Sequence, residues 1–360
     1  MSLMSLSLCT PSNGNSQEGT GGAAMNLNEA RGKSEYCLEE MLLLTAQNVP
    51  LLDPKENFAI IRELGSGSYG SVFLAVHQTQ GTPMALKFMR KSNTEKKAFL
   101  LEYCVSLSLS SHPCIIGTFG IAFQTASHYV FAQELAMADS LFSIMKPQVG
   151  IPEMLVKRCA VQLCGALDFM ESKGLVHRDV KPENVLLFDP DCRQVKLTDF
   201  GLACAKGTAV EPMPENLPYT APEMCALGAA DRLAAHPSLD VWSFGVLLFC
   251  VLTGYFPWSS ALPSDPHYQA YSRWHRSSRI FRLPAQWQGF SAEALELFKK
   301  MVAPAPAQRS PAKEVMHYLK TPWKISPPDN KNKGFGGSVD NAQYLRGKAG
   351  NRNFLTKKGR

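Results

Sequence analysis

Asp179, Lys181 and Asn184 fall within six residues of one another, in His177-Arg178-Asp179-Val180-Lys181-Pro182-Glu183-Asn184, and Asp199-Phe200-Gly201 begins fifteen residues later. A carboxylate that orients a hydroxyl, a lysine that neutralises anionic oxygens, and an amide and a carboxylate suited to a hard divalent cation together make a phosphoryl-transfer set. Such chemistry asks mainly for positioning and charge neutralisation. An isolated His-Arg-Asp would be a surface turn. Here the polar run continues without a gap into the apolar Val185-Leu186-Leu187-Phe188, which marks a strand leaving a built loop.

Upstream, Gly65, Gly67 and Gly70 let a backbone approach phosphates, with Ser68 and Tyr69 at the loop tip. They lie between two strand patterns, Phe58 to Leu64 and Val72 to His77. A dinucleotide loop needs strand, glycines and then helix, and no Gly-Lys-Ser/Thr follows, so neither alternative loop type fits. Lys87 sits in the apolar run Met84 to Met89 and needs an anionic partner if buried. The following helix offers Glu95 and Glu102. Glu95 neighbours Lys96 and Lys97 and reads as a solvated first-turn residue, so mid-helix Glu102 is the predicted partner. Glu223, in Ala221-Pro222-Glu223, is expected to pair with Arg309, and Asp240 to cap the backbone of the 177–184 loop.

These groups must be carried by two kinds of structure. Strand patterns dominate from Phe58, with a turn at Thr79–Thr82, a third strand over Pro83–Met89, a helix over Thr94–Leu109, and strands over Ile115–Phe123 and His128–Glu134. Beyond Ala136 the pattern turns helical: Pro152–Lys173 with apolar residues at threes and fours, then Ser238–Thr253, Ser291–Met301 and Pro311–Leu319. The fold class is α+β, a small antiparallel sheet lobe with one helix and a larger, mainly helical lobe. The predicted division is a disordered segment over 1–50 with a short helix near 38–49 packed on the domain surface, a domain over 58–320 (58–136 and 137–320), and a disordered basic tail over 324–360.

The ordered motifs resemble those of the eukaryotic protein kinase superfamily, and Asp179-Val180-Lys181-Pro182-Glu183-Asn184 looks like the serine/threonine type of catalytic loop. The segments 101–109, 182–188, 218–223 and 249–258 are most similar to the SH3-domain-binding kinase family. The resemblance implies a bilobal kinase fold and an ATP- and Mg²⁺-dependent transfer to protein serine or threonine hydroxyls. It implies Asp179 and Lys181 as catalytic residues, and Leu64, Gly65, Gly67, Gly70, Val72, Ala85, Lys87, Glu102, Glu134, Ala136, Asn184 and Asp199 as the nucleotide site. Asn184 and Asp199 would hold the metal. Gln133 takes the gatekeeper position and Glu134-Leu135-Ala136 the hinge. The competing readings are a pseudokinase-like scaffold and a small-molecule phosphotransferase. An SH3-domain partner is implied by the family, yet the tail offers only Pro327-Pro328 and no Pro-x-x-Pro.

Two departures bear on switching. Glu215-Asn216 replaces the usual Gly-Thr before the Pro-x-Tyr segment. Between Gly201 and Tyr219 the sole Ser or Thr is Thr208. Glu211 and Glu215 are candidates for fixed negative charge, giving an activation segment competent without phosphorylation.

The net charge of +6 is uneven: Lys324 to Arg360 carries nine Lys or Arg against Asp329 and Asp340, leaving the rest near balance. No specific nucleic-acid groove is expected in the body. Ten scattered cysteines without a Cys-x-x-Cys read as reduced structural thiols, with Cys204 placed to be the more reactive one. The longest apolar stretch is too short to span a bilayer, and a cytoplasmic protein is expected.

Overall fold

The computed structural model describes residues 38–67, 70–212, 217–277 and 279–325. The expectations placed on 1–37 and 326–360, on Ser68 and Tyr69, and on Glu215 and Asn216 lie outside these residues. The chain divides into two compact units between Leu135 and Ala136.

The first unit opens with α1 (38–47) and the single turn α2 (Pro54–Asn57). Asp53 caps α2 by accepting the Lys55 N–H, and Pro54 occupies the first turn, where no N–H is needed. There follow β1 (Phe58–Gly67), β2 (Gly70–His77), β3 (Pro83–Arg90), α3 (Lys96–Leu109), β4 (Thr118–Gln124) and β5 (His128–Gln133). The five strands form one antiparallel sheet in the order β1-β2-β3-β5-β4. One part of its core joins Phe58, Met84, Leu86, Phe88, Phe123 and Val130. The other packs α3, through Phe99, Leu100, Tyr103 and Cys104, on Met89 and Phe131, and the Leu38, Met41, Leu42 and Ala46 side chains of α1 cover it. Lys96 Nζ also donates to the Ala46 carbonyl at 3.0 Å, and the Cys104 thiol lies 3.6 Å from Thr45 Oγ1. The segment before the sheet is therefore fastened to α3.

The second unit contains α4 (Leu141–Ile144), α5 (Glu153–Ser172), β6 (Leu175–Val176), β7 (Val185–Leu187), β8 (Val195–Leu197), β9 (Cys204–Ala205), β10 (Ala209–Val210), α6 (Pro222–Cys225), β11 (Leu233–Ala234), α7 (Ser238–Thr253), α8 (Pro266–Arg276) and α9 (Ala292–Met301). The short strands pair as β6–β9, β7–β8 and β10–β11. Helix α7 is the centre of this unit, buried from Ser238 to Leu252, as a helix apolar on every side must be. Gly245 is required there: a Cβ would meet Val302 Cγ1 at 2.7 Å. Gly254, at φ 72°, ends the helix.

Two elements differ from expectation. The 311–319 segment is a 3₁₀ helix over Ala312–Tyr318 rather than an α-helix. Helix α8 was not anticipated. Its low apolar content hides a Tyr268, Tyr271, Trp274 stripe at three-residue spacing, which is its buried face. Asp265 starts it, accepting the His267 and Tyr268 N–H groups. That stripe joins Trp258 and Trp287 in a cluster in which Tyr271 stacks on Trp287 with centroids 4.8 Å apart.

Candidate active site

In the helical unit the Asp240 carboxylate, on the first turn of α7, accepts the His177 and Arg178 N–H groups at 2.7 Å each. Burial pushes the Asp240 carboxyl above its usual range, against the pull of His177 and the two amide donors. These bonds pin a strained turn, for Arg178 sits at φ 70°, a conformation costing an L-residue about 1–2 kcal/mol. Asp179 N–H donates to His177 Nδ1 at 3.1 Å. The ring proton therefore resides on Nε2, which faces the Thr198 carbonyl at 3.2 Å. Phe200 meets the same ring edge to face at 5.1 Å, and so the 177–179 and 198–200 segments are locked together.

The turn delivers Asp179 to a shared cluster. Lys181 Nζ lies 2.8 and 2.7 Å from its two carboxylate oxygens. Asn184 Nδ2 donates to the Asp179 carbonyl and to Oδ2, both at 2.8 Å. With its amide nitrogen so committed, Asn184 keeps Oδ1 as its available ligand oxygen. Asp199 follows β8 at φ 67°, and the Thr198 N–H is held by the Asn184 carbonyl at 2.9 Å. Asn184 and Asp199 thus lie at the ends of adjoining paired strands.

Glu223 and Arg309 form a two-pronged ion pair, with both N···O distances 2.6 Å. The guanidinium also donates to Ala303 and Ser238 carbonyls and lies 4.9 Å from the Trp242 ring centre. Beside Asp179, a small pocket is lined by Val180, Tyr219, Thr220, Met224 and Ser243. The 217–221 segment is fixed there by Ser243 Oγ donating to the Tyr219 carbonyl at 2.9 Å and Trp258 Nε1 to Pro218 at 3.2 Å. The sequence reading did not name these as lining residues, although Val180, Tyr219 and Thr220 lie within or beside its quoted motifs; Ser243 arrives from α7 with no sequence signal.

In the sheet unit, Lys87 Nζ and Glu102 Oε1 are 2.5 Å apart, Lys87 being 18% exposed and Glu102 3%. Glu95 is instead the N-cap position of α3 and makes no side-chain cap bond. Strand register places Gly65 opposite Val72 and Val72 opposite Lys87. Ala85, two residues from Lys87, presents its side chain to the same face. Four of the proposed nucleotide residues therefore form one contiguous patch. Gly70 has a packing reason, because a Cβ would overlap the Phe88 carbonyl oxygen, whereas Gly65 and Gly67 meet nothing within 4 Å. Their lack of side chains leaves space above β1, and Leu64 precedes them half-buried. Gln133 is buried and donates to Thr118 Oγ1 at 3.4 Å. Glu134 folds onto Gly117: its N–H donates to the Gly117 carbonyl at 2.8 Å, and its Oε1 accepts the Gly117 N–H at 2.5 Å. Ala136 begins the second unit and is half-buried.

Thr208 is exposed in the turn between β9 and β10, and its carbonyl accepts the Ala235 N–H at 2.8 Å. Glu211 pairs with Arg232 at 2.5 Å on the surface, so its charge is spent within the strand pair β10–β11 rather than on Arg178. Arg178 Nη1 donates to the Leu202 carbonyl at 3.1 Å. Burial pushes the Cys204 thiol up, though Arg178 pulls the other way, and a raised thiol disfavours the reactive thiolate.

The protein kinase domain family matches residues 58–323. Serine/threonine-protein kinase SBK1 of Danio rerio is 49% identical over 292 residues, covering 81% of this chain and 76% of the relative. The Mus musculus protein of that name is 50% identical, covering 78% and 67%. Serine/threonine-protein kinase SBK2 of Homo sapiens is 40% identical, covering 86% and 89%. With the antiparallel sheet, the helical unit and the bonded Asp179 cluster, these matches establish that the chain belongs to the protein kinase family, in its serine/threonine branch.

Proposed function

We propose that the kinase uses ATP with Mg²⁺ and that Asp179 is its catalytic base. A serine or threonine hydroxyl oxygen forms a bond to the γ-phosphorus as the bond to the ADP oxygen breaks. The hydroxyl proton passes to Asp179 and the electron pair leaves with ADP. Lys181, already on both Asp179 oxygens, neutralises charge on the transferring group. In the sheet unit, Glu102 holds Lys87 in place to bind phosphate oxygens. Leu64, Val72 and Ala85 supply apolar surface for the base, and the Glu134 and Ala136 backbone supplies its hydrogen bonds. Gly65 and Gly67 leave room for phosphates near the backbone.

The donor chemistry suits Mg²⁺, since the Asn184 amide oxygen and the Asp199 carboxylate are hard oxygen ligands. When bound, the cation neutralises and orients phosphate oxygens. The observation that carries this reading is the Asn184–Asp179–Lys181 cluster, in which one buried carboxylate is oriented by an amide and a lysine. No feature of the described site favours a non-catalytic scaffold. The eight described cysteines are free thiols, which supports a reducing, cytoplasmic setting, and no described helix is long and apolar enough to cross a membrane. The test is γ-phosphate transfer to a degenerate Ser/Thr peptide mixture, wild type beside Asp179→Ala. Equal background from both would overturn the proposal.

Activation without phosphorylation is a second part of it, supported by the single hydroxyl, Thr208, between Gly201 and Tyr219. Phosphatase-treated protein from a bacterial host should be active. Activity that appears only after treatment with an upstream kinase would refute this.

A further inference from the structure

Cys159, on α5, and Cys192, in the turn between β7 and β8, are both buried and both free thiols. Their side chains are hydrogen-bonded to each other. Helix α5 grips the turn around this contact. Arg158 Nη1 donates to the Asp191 carbonyl at 2.8 Å and Gln162 Nε2 to the Cys192 carbonyl at 3.0 Å, while Gln162 Oε1 accepts the Val195 N–H at 2.8 Å. Gln162 lies one helical turn on from both Arg158 and Cys159, so the three side chains present one side of α5 to the turn. Within the turn, the Asp189 carboxylate accepts the Asp191, Arg193 and Gln194 N–H groups at 2.9, 3.1 and 2.8 Å. Cys192 itself sits at φ 55°, a strained conformation for an L-residue that a glycine would adopt freely. The turn thus sends this one side chain inward, between the exposed Asp191 and Arg193.

The two thiols are chemically unequal. The hydrogen bond from Cys159 holds the Cys192 thiol below its usual range, against burial and the Asp189 charge, and the same bond raises Cys159. Burial instead raises the Cys104, Cys204, Cys225 and Cys250 thiols. Cys192 is therefore the readier thiolate, with Cys159 placed to capture its oxidised form. The turn is also one end of the β7–β8 hairpin. From it the register runs through Leu187–Val195 to Val185–Leu197. At the other end the Thr198 N–H donates to the Asn184 carbonyl at 2.9 Å, and Asp199 follows.

We propose that Cys159 and Cys192 form a peroxide-sensitive dithiol, and that its closure to a disulfide slows phosphoryl transfer by displacing the Asn184–Asp199 end of the hairpin. In the first step the Cys192 sulfur bonds to one oxygen of hydrogen peroxide as the O–O bond breaks. A sulfenic acid forms, and the departing hydroxide leaves with the thiol proton as water. The Cys159 sulfur then bonds to the Cys192 sulfur as the S–O bond breaks, and hydroxide leaves with the Cys159 proton as a second water. The peroxide is reduced and the two sulfurs are oxidised; a dithiol reductant reverses the bond by thiol–disulfide exchange. A single layer of turn residues covers Cys192, so local opening of this turn admits a molecule as small as peroxide. Closing the bond draws the turn onto α5, and the paired strands carry that movement to their far end. Formation of the disulfide needs the two thiols alone; its effect on transfer rests on the proposed roles of Asn184 and Asp199.

The test exposes the full chain to graded hydrogen peroxide, blocks remaining thiols with N-ethylmaleimide, digests without reduction and maps the peptides by mass spectrometry. The expected product joins the Cys159 peptide to the Cys192 peptide, two hydrogens lighter than their sum, with fragmentation separating Cys159 from Cys164. It should vanish on treatment with dithiothreitol. Transfer to the Ser/Thr peptide mixture should fall about 10- to 100-fold as the linked form accumulates and return on reduction, while Cys192→Ser keeps its rate in the same peroxide. Oxidation of other cysteines with Cys159 and Cys192 left unlinked overturns the proposal, and the wild-type map decides this without any variant. A linked form with undiminished transfer overturns the coupling to the far end of the hairpin. An equal loss of transfer in wild type and Cys192→Ser overturns it as well. A chain that transfers no phosphate before oxidation contradicts the proposed function instead, and its peptide map still decides whether the dithiol closes.

Discussion

In the sheet unit a single pair, Lys87 with Glu102, positions the lysine, which remains 18% exposed. In the helical unit the 177–179 turn is held from several directions at once: by both oxygens of Asp240, by the His177 ring between Asp179 and Thr198, and by Lys181 and Asn184 on Asp179. One side is anchored by a helix whose position depends on its neighbours, and the other by redundant bonds to the unit's central helix. A strained turn with Arg178 and Asp199 at positive φ survives only under that redundancy. The lysine, in an unstrained strand, needs no such support. Placement of the lysine therefore rests on one contact, and placement of the Asp179 turn on several.

The sharpest way to break this contrast is chemical. Asp179→Ala should reduce kcat by about 10²- to 10⁴-fold with binding of an ATP analogue retained; residual activity near wild type would remove the base from the mechanism. Next, Arg309→Ala strands the Glu223 carboxylate and should destabilise the helical unit by about 3–5 kcal/mol, read as a fall in the thermal midpoint. Glu102→Gln should do the reverse, lowering kcat by up to about 10²-fold through misplacement of Lys87 with little change in that midpoint. A large loss of stability in Glu102→Gln would erase the distinction between the two units.

A milder substitution probes what steers α3. Leu42→Ala loosens α1 against Phe99, Tyr103 and Cys104 and should cost about 1–2 kcal/mol, below the range for fully buried leucine. Activity should fall further than stability alone explains, since α3 carries Glu102. The smallest effect concerns Glu153 at the start of α5. Burial acts to raise its carboxyl pKa, but bonds from Lys157 and from the Trp323 and Lys324 N–H groups outweigh it and hold it below the ordinary 4.5. A depressed acid stabilises the fold above its unfolded pKa and loses that contribution as pH falls through the folded one. Acid melting below pH 4.5 should therefore be slightly flatter in Glu153→Gln than in wild type.

Parts of this architecture were readable in advance because they rest on local rules. Mid-helix placement among apolar neighbours singled out Glu102, and the apolar richness of Ser238–Thr253 announced α7. Helix α8 was not readable, because its mean polarity masks a three-residue aromatic stripe whose burial depends on Trp258 and Trp287 arriving from elsewhere. The row Gly65–Val72–Lys87 was equally hidden. Its register depends on shifts between Ile60 and Arg62 and between Glu63 and Gly65, and one residue of slip would turn Lys87 to the other face.

By itself the sequence determined which groups are available for phosphoryl transfer, their order, and the helices and strands that bear them, because residue type and period act over a few neighbours. Only the tertiary structure decided that Asp240 would spend both oxygens on the His177 and Arg178 N–H groups, that the Arg309 guanidinium would also take the Ala303 and Ser238 carbonyls beside the Trp242 ring, and that Glu211 would be consumed by Arg232. Such pairings are selected by burial. A charge withdrawn from water must find its partner in whatever the completed core brings beside it.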